Sequence, residues 1–130
     1  MKYYIIFIFG LILVSCVSKK ANIKSHLSEI NIHLSDKIEV EKYKTWGLTD
    51  YIEESEFIVS DADKEYLIDF IKTFAVNINH SNPNGGYLNS SAYRTDTSFI
   101  LHIQIPTDKA FIDHSLEIVD NYVFYNYWIE

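Results

Sequence analysis

Two hydrophobic periods divide this chain, and the change from one to the other limits the folds open to it. Between Ser60 and Ala75, the apolar residues Leu67, Ile68, Ile71, Phe74 and Ala75 recur at helical spacing and form one stripe, with Asp69 and Lys72 on the opposite side. Ser60 or Asp61 can cap this helix, and Asp61, Asp63 and Glu65 put negative charge on its first turn, where the helix dipole favours it. From Ser98 onward the period falls to two. Phe99, Leu101, Ile103 and Ile105 alternate with Ser98, His102 and Gln104, Leu116 and Ile118 continue a second strand, and Tyr122 to Ile129 form a third. Asp120-Asn121 suits a tight hairpin turn, because both residues tolerate positive φ. Upstream, Ile30, Ile32 and Leu34, then Ile38 and Val40, read as one bent strand or a hairpin, and Glu56 to Val59 as a short strand. A single helical stripe must be buried, and a sheet face is what the chain offers to bury it. The expected fold is α+β: a small antiparallel β-sheet of about five strands packed against one main helix.

Between helix and strands, Asn77 to Asp96 is rich in Asn and Ser, contains Pro83 and Gly85-Gly86, and shows no period. It reads as a long loop, of the kind that is either mobile or functional. The chain carries a formal charge of −7, and residues 29–130 are enough for one α+β domain. That acidity argues against a nucleic-acid partner, since phosphate binding needs clustered Lys and Arg. Lys19, Lys20 and Lys24 stand together in a polar stretch over residues 16–28, which reads as a tether whose lysines either lie near an anionic membrane or only solvate the linker.

The first residues, MKYYIIFIFGLILVSCVSKK, combine one Lys, an apolar run from Tyr3 to Val14, and the only cysteine, Cys16. The run is too short for a membrane span, which needs about 20 residues, and suits a signal-peptide core. With Leu13-Val14-Ser15-Cys16, it resembles the signal peptide and lipobox of bacterial lipoproteins. The resemblance covers roughly the first 17 residues. It implies a signal peptide over residues 1–15, cleavage between Ser15 and Cys16, and a diacylglyceryl group on the Cys16 thiol. Two or more acyl chains hold a protein stably at a membrane. Val17 stands where an Asp would retain a lipoprotein at the inner membrane, and no acid follows closely to direct surface display. The family pattern therefore implies an outer-membrane position facing the periplasm, ahead of the cell surface or the inner membrane.

The remainder offers little catalytic chemistry. His26, His33, His80, His102 and His114 form no His-x-x-x-His pair, and no second Cys exists for a zinc cluster. Asp61, Asp63 and Glu65 open like a calcium loop but meet Tyr66 where Gly is required and Lys72 where Glu is required. There is no Gly-x-Ser-x-Gly, and Glu53 and Glu54 would point to opposite faces of a strand. No metal site, cofactor or catalytic residue is expected. A hydrolase would need His102, His114 and Asp113 to converge in a cleft.

The last strand is unusually aromatic. One face carries Tyr122, Phe124 and Trp128; the other carries Val123, Tyr125, Tyr127 and Ile129. A helix covers only one face of a sheet, and Tyr and Trp suit recognition surfaces. The expected function is a non-enzymatic binding module for another envelope component, with Tyr125 and Tyr127, and Tyr87 and Tyr93 from the loop, as its partner-binding residues. The alternative is an immunity-type or other enzyme-inhibitor lipoprotein, whose acidic face masks a basic active site. Glycan binding through the tyrosines is a third reading.

Overall fold

The computed structural model describes residues 19–80 and 88–130. Residues 1–18, which include Ser15 and Cys16, and residues 81–87, which include Tyr87, lie outside the described residues. The described chain is α+β, as expected, but with six strands and two helices where about five and one were expected. Helix α1 spans residues 19–28. Strands β1 (Glu39–Trp46) and β2 (Tyr51–Ile58) precede helix α2 (Asp61–His80), and β3 (Leu88–Arg94), β4 (Phe99–Pro106), β5 (Phe111–Val119) and β6 (Tyr122–Ile129) follow it. All pair antiparallel in one sheet of order β1-β2-β6-β5-β4-β3.

Helix α1 replaces the expected tether. Ile23 and Leu27 lie four residues apart on one helical face, and both are fully buried. The helix ends in a Schellman motif. Asn31 takes φ 61°, its N–H bonds the carbonyl of Ser28, and the N–H of Ile32 bonds the carbonyl of Leu27. Ile32 and Leu27, the apolar pair that accompanies this motif, are both in the core. Residues 30–38, expected as strand, are irregular until Glu39. They alternate because an extended segment runs along the core and buries Ile30, Ile32, Leu34 and Ile38. Asp63 on α2 fastens this segment by accepting from the Ser35 hydroxyl at 2.5 Å and the Ser35 N–H at 3.2 Å.

Helix α2 begins as its sequence requires, with the Ser60 hydroxyl accepting from the Asp63 N–H at 3.2 Å. Of the expected loop over residues 77–96, the part outside 81–87 is mostly secondary structure: α2 runs on to His80, and Leu88–Arg94 form β3. As an edge strand of small and polar residues, β3 carries no hydrophobic alternation to announce it. At the β5–β6 turn, Asp120 takes the positive φ, 53°, that the Asp-Asn pair was expected to supply. Both helices contribute to one core, with Leu67 and Ile71 of α2 joining Ile23 and Leu27 of α1 against the inward residues of β2, β4, β5 and β6. Helix α2 lies over β3 and β4. Helix α1 lies toward β1, β2, β6 and β5, through contacts described below.

Candidate interaction surface and buried polar network

The parity of β6 divides its aromatics as expected, but the buried side is the opposite one. Tyr125 is 0% exposed and Tyr127 3%, whereas Phe124 is 38%, Trp128 39% and Tyr122 50% exposed. Tyr125 and Tyr127 are therefore not surface binding residues. They face α1, because β5 and β2, their neighbours on either side, turn Leu116 and Phe57 the same way and the apolar stripe of α1 covers them. Tyr93 of β3 is 52% exposed and stays a candidate.

Strand register lays out the uncovered face. Trp46, Ile52, Trp128, Asp113 and Gln104 are successive cross-strand partners, as are Lys44, Glu54, Asn126, Ser115, His102 and Ser91. A third row runs Lys42, Glu56, Phe124, Glu117, Ile100 and Tyr93. The aromatics of β6 thus form a central stripe with carboxylates on both flanks: Glu54 and Glu56 on β2, Asp113 and Glu117 on β5. Lys42 pairs with Glu56 at 2.9 Å. Asp113 accepts from Gln104 at 3.2 Å and meets His102 Nε2 at 3.1 Å.

His102 and His114 do not come together. His102 stands on the open face, while His114 lies on the buried face, 1% exposed. Only two members of the His102, His114 and Asp113 trio converge, so the hydrolase arrangement is not formed. Among the described residues, no group of three or more His, Cys, Asp and Glu is placed to hold a metal ion.

Beneath α1 lies a polar network that the sequence reading did not anticipate. The Glu53 side chain is fully buried and accepts from Tyr43 at 2.7 Å and Tyr51 at 3.0 Å; His26 Nδ1 lies 3.1 Å from its other oxygen. Burial alone raises the Glu53 carboxyl, but the bonds from His26, Tyr43 and Tyr51 outweigh it and hold the group below the ordinary carboxylate range. The His26 ring stacks on Tyr127 with centroids 3.8 Å apart and planes 2° from parallel. The Tyr127 hydroxyl donates to Glu29 at 3.4 Å, and burial, with the Glu29 charge beside it, pushes that phenol up to about 12. His114 Nδ1 meets the Tyr125 hydroxyl at 2.7 Å. Its Nε2 lies 3.4 Å from the Glu29 carboxylate but makes no hydrogen bond. Burial, with the His26 charge nearby, pulls His114 down to about 4, so the ring is neutral at pH 7 and the Glu29 contact is not an ion pair there. The contacts of His26 with Glu53 and Tyr127, and of Asn22 donating to Tyr43 at 3.2 Å, seat α1 on the sheet. The network's visible chemistry is docking of α1: its buried carboxylate is saturated with donors.

Lys20 and Lys24 also turn toward the domain. Lys24 pairs with Asp36, and Lys20 donates to the Asp36 carbonyl at 3.0 Å. They brace α1 against the following segment, in place of the free tether lysines that were expected.

No family model matches the chain, and no curated protein is significantly similar to it. The described residues form a two-helix, six-strand α+β domain in which, among those residues, one sheet face is covered and the other is open.

Proposed function

We propose that this protein is a lipid-anchored envelope protein whose domain binds another envelope protein through the open sheet face. The observation that carries the reading is the exposed stripe of Tyr122, Phe124 and Trp128 on β6, continued across the sheet to Tyr93. Aromatic residues with polar surroundings are the usual anchors of protein recognition. The sequence around Leu13-Val14-Ser15-Cys16 supports attachment through a lipidated Cys16, in an outer membrane facing the periplasm. Among the described residues, no helix is long and apolar enough to cross a membrane. Lys19, the first described helical residue, follows Cys16 by three positions, and three residues reach at most about 11 Å. With Cys16 lipidated, the domain would sit close to the bilayer.

The acidic flanks of the stripe favour one variant of this reading, an immunity-type inhibitor that covers a basic active site. A toxin-sensitive deletion strain would single it out. Two experiments test the main reading. Cys16→Ala should abolish incorporation of labelled palmitate, and unchanged labelling removes the anchor. Phe124→Ala and Trp128→Ala should each weaken in-cell crosslinking to the partner by at least tenfold while leaving thermal unfolding near native. Undiminished crosslinking in both variants removes the open face.

A further inference from the structure

We propose that a groove on this face receives an arginine side chain presented by the partner protein. The inference rests on the open face being the interaction surface, and it names the chemistry of what binds there. The groove encloses about 300 Å³ and is lined by Lys42, Lys44, Glu54, Glu56, Phe124 and Asn126. Its charged groups are not equivalent. Lys42 is taken up by Glu56 at 2.9 Å. Lys44 is the direct cross-strand partner of Glu54, yet its ammonium sits 4.9 Å from the Trp46 ring centroid. Glu54 is left without an ion pair or side-chain hydrogen bond among the described residues. Asn126, its cross-strand partner on β6, is in the same condition.

A free carboxylate and a free amide therefore stand opposite each other, with Phe124 two residues along β6 on the same face. A guanidinium fits this set better than other side chains. It is planar, donates in a fixed fork that matches one carboxylate with two bonds, and stacks on aromatic rings. Glu54 would take the fork, the Asn126 carbonyl oxygen a further N–H, and Phe124 the apolar stem or the guanidinium face. Lysine offers a compact point charge without the fork or the stacking plane. Glu117, the cross-strand partner of Phe124 on β5, and Asp113 extend the negative field beyond the groove, so the face attracts a basic partner surface over a longer range.

The test uses the full chain, ¹⁵N-labelled in detergent, titrated with N-acetyl-arginine amide. N-acetyl-lysine amide and N-acetyl-glutamate amide serve as comparisons. Saturable shifts of the Asn126 side-chain amide with the arginine compound, at least threefold tighter than with lysine and weakened at least threefold by Glu54→Gln, support the proposal. No saturable shift, equal binding of the lysine compound, preferential binding of the glutamate compound, or unchanged binding in Glu54→Gln overturns it. In-cell crosslinking separates this failure from that of the broader reading. Capture that falls with Phe124→Ala but not with Glu54→Gln overturns the arginine groove alone, whereas capture indifferent to both Phe124→Ala and Trp128→Ala overturns the open face itself.

Discussion

Acidification from pH 7 to pH 5 should destabilise the domain through His114, and the size of the effect follows from its burial. The ring lies in the core, bonded to Tyr125 on one side and lacking a hydrogen bond on the other. Its pKa is lowered from 6.5 to about 4. Between those values the unfolded chain holds a proton that the folded chain refuses, so the unfolded state binds more protons and stability rises with pH across this window. The contribution is intact above pH 6.5, begins to fall as pH drops through 6.5, and is fully lost near pH 4. At pH 5 the unfolded ring is largely protonated and the folded ring largely is not, which amounts to about 2 kcal/mol of stability lost relative to pH 7. His114→Asn removes the titration while keeping an amide beside the Tyr125 hydroxyl that Nδ1 meets. Other groups add a pH dependence of their own, among them Glu29, whose carboxyl is raised by burial. Subtracting the variant's pH dependence from the native one cancels the groups that do not touch His114, and Glu29→Gln placed in both chains removes the one that does. Urea unfolding of both chains at pH 7 and pH 5 gives the four free energies. A native loss exceeding the variant's by about 2 kcal/mol is expected. Equal losses would refute the assignment of a neutral buried imidazole.

Three further outcomes follow from packing. Leu27→Ala should cost about 3 kcal/mol in urea unfolding, as for a fully buried leucine; a near-zero change would return residues 19–28 to the role of a tether. Tyr125→Phe should cost about 1–2 kcal/mol by leaving His114 Nδ1 unpaired, while partner crosslinking stays native, and weakened crosslinking at native stability would place Tyr125 in the interface. Gly47→Ala should lower the thermal midpoint markedly. Gly47 sits between β1 and β2 at φ 130°, where an added Cβ would fall 1.5 Å from the Asp50 carbonyl oxygen; an unchanged midpoint would show that this turn rearranges freely.

Where a segment's pattern had one physical cause, the sequence was readable. The helical stripe ending in Phe74 and Ala75 could be nothing but a packed helix, and the Asp120-Asn121 turn followed from residues that tolerate positive φ. Reading failed where one pattern has two causes. The alternation of Ile30, Ile32 and Leu34 is shared by a strand and by an extended segment pressed on a core, and only the bonds to Asp63 and Tyr66 across the fold decide between them. In α1, two buried apolar residues sit among lysines, serines and an asparagine, too sparse a stripe to stand out from a polar tether.

The same ambiguity governed the recognition face. The period of a strand assigns its residues to two sides but does not say which side is covered. On β6, both sides are aromatic, so hydrophobicity could not choose. Polarity on β2 gave no help, because its covered side carries Glu53 and Ser55, groups that look solvent-facing in sequence, as does His114 on the covered side of β5. They are tolerated inside because each meets a partner: Glu53 with His26, Tyr43 and Tyr51, Ser55 with the Tyr125 carbonyl, His114 with the Tyr125 hydroxyl. Tyr125 and Tyr127 are inward although they are no more apolar than Phe124 and Trp128, and their hydroxyls join this network at His114 and Glu29, where a phenyl ring has no polar atom to offer. The cluster that concealed the covered face is thus what leaves Phe124 and Trp128 on the open one, available to a partner.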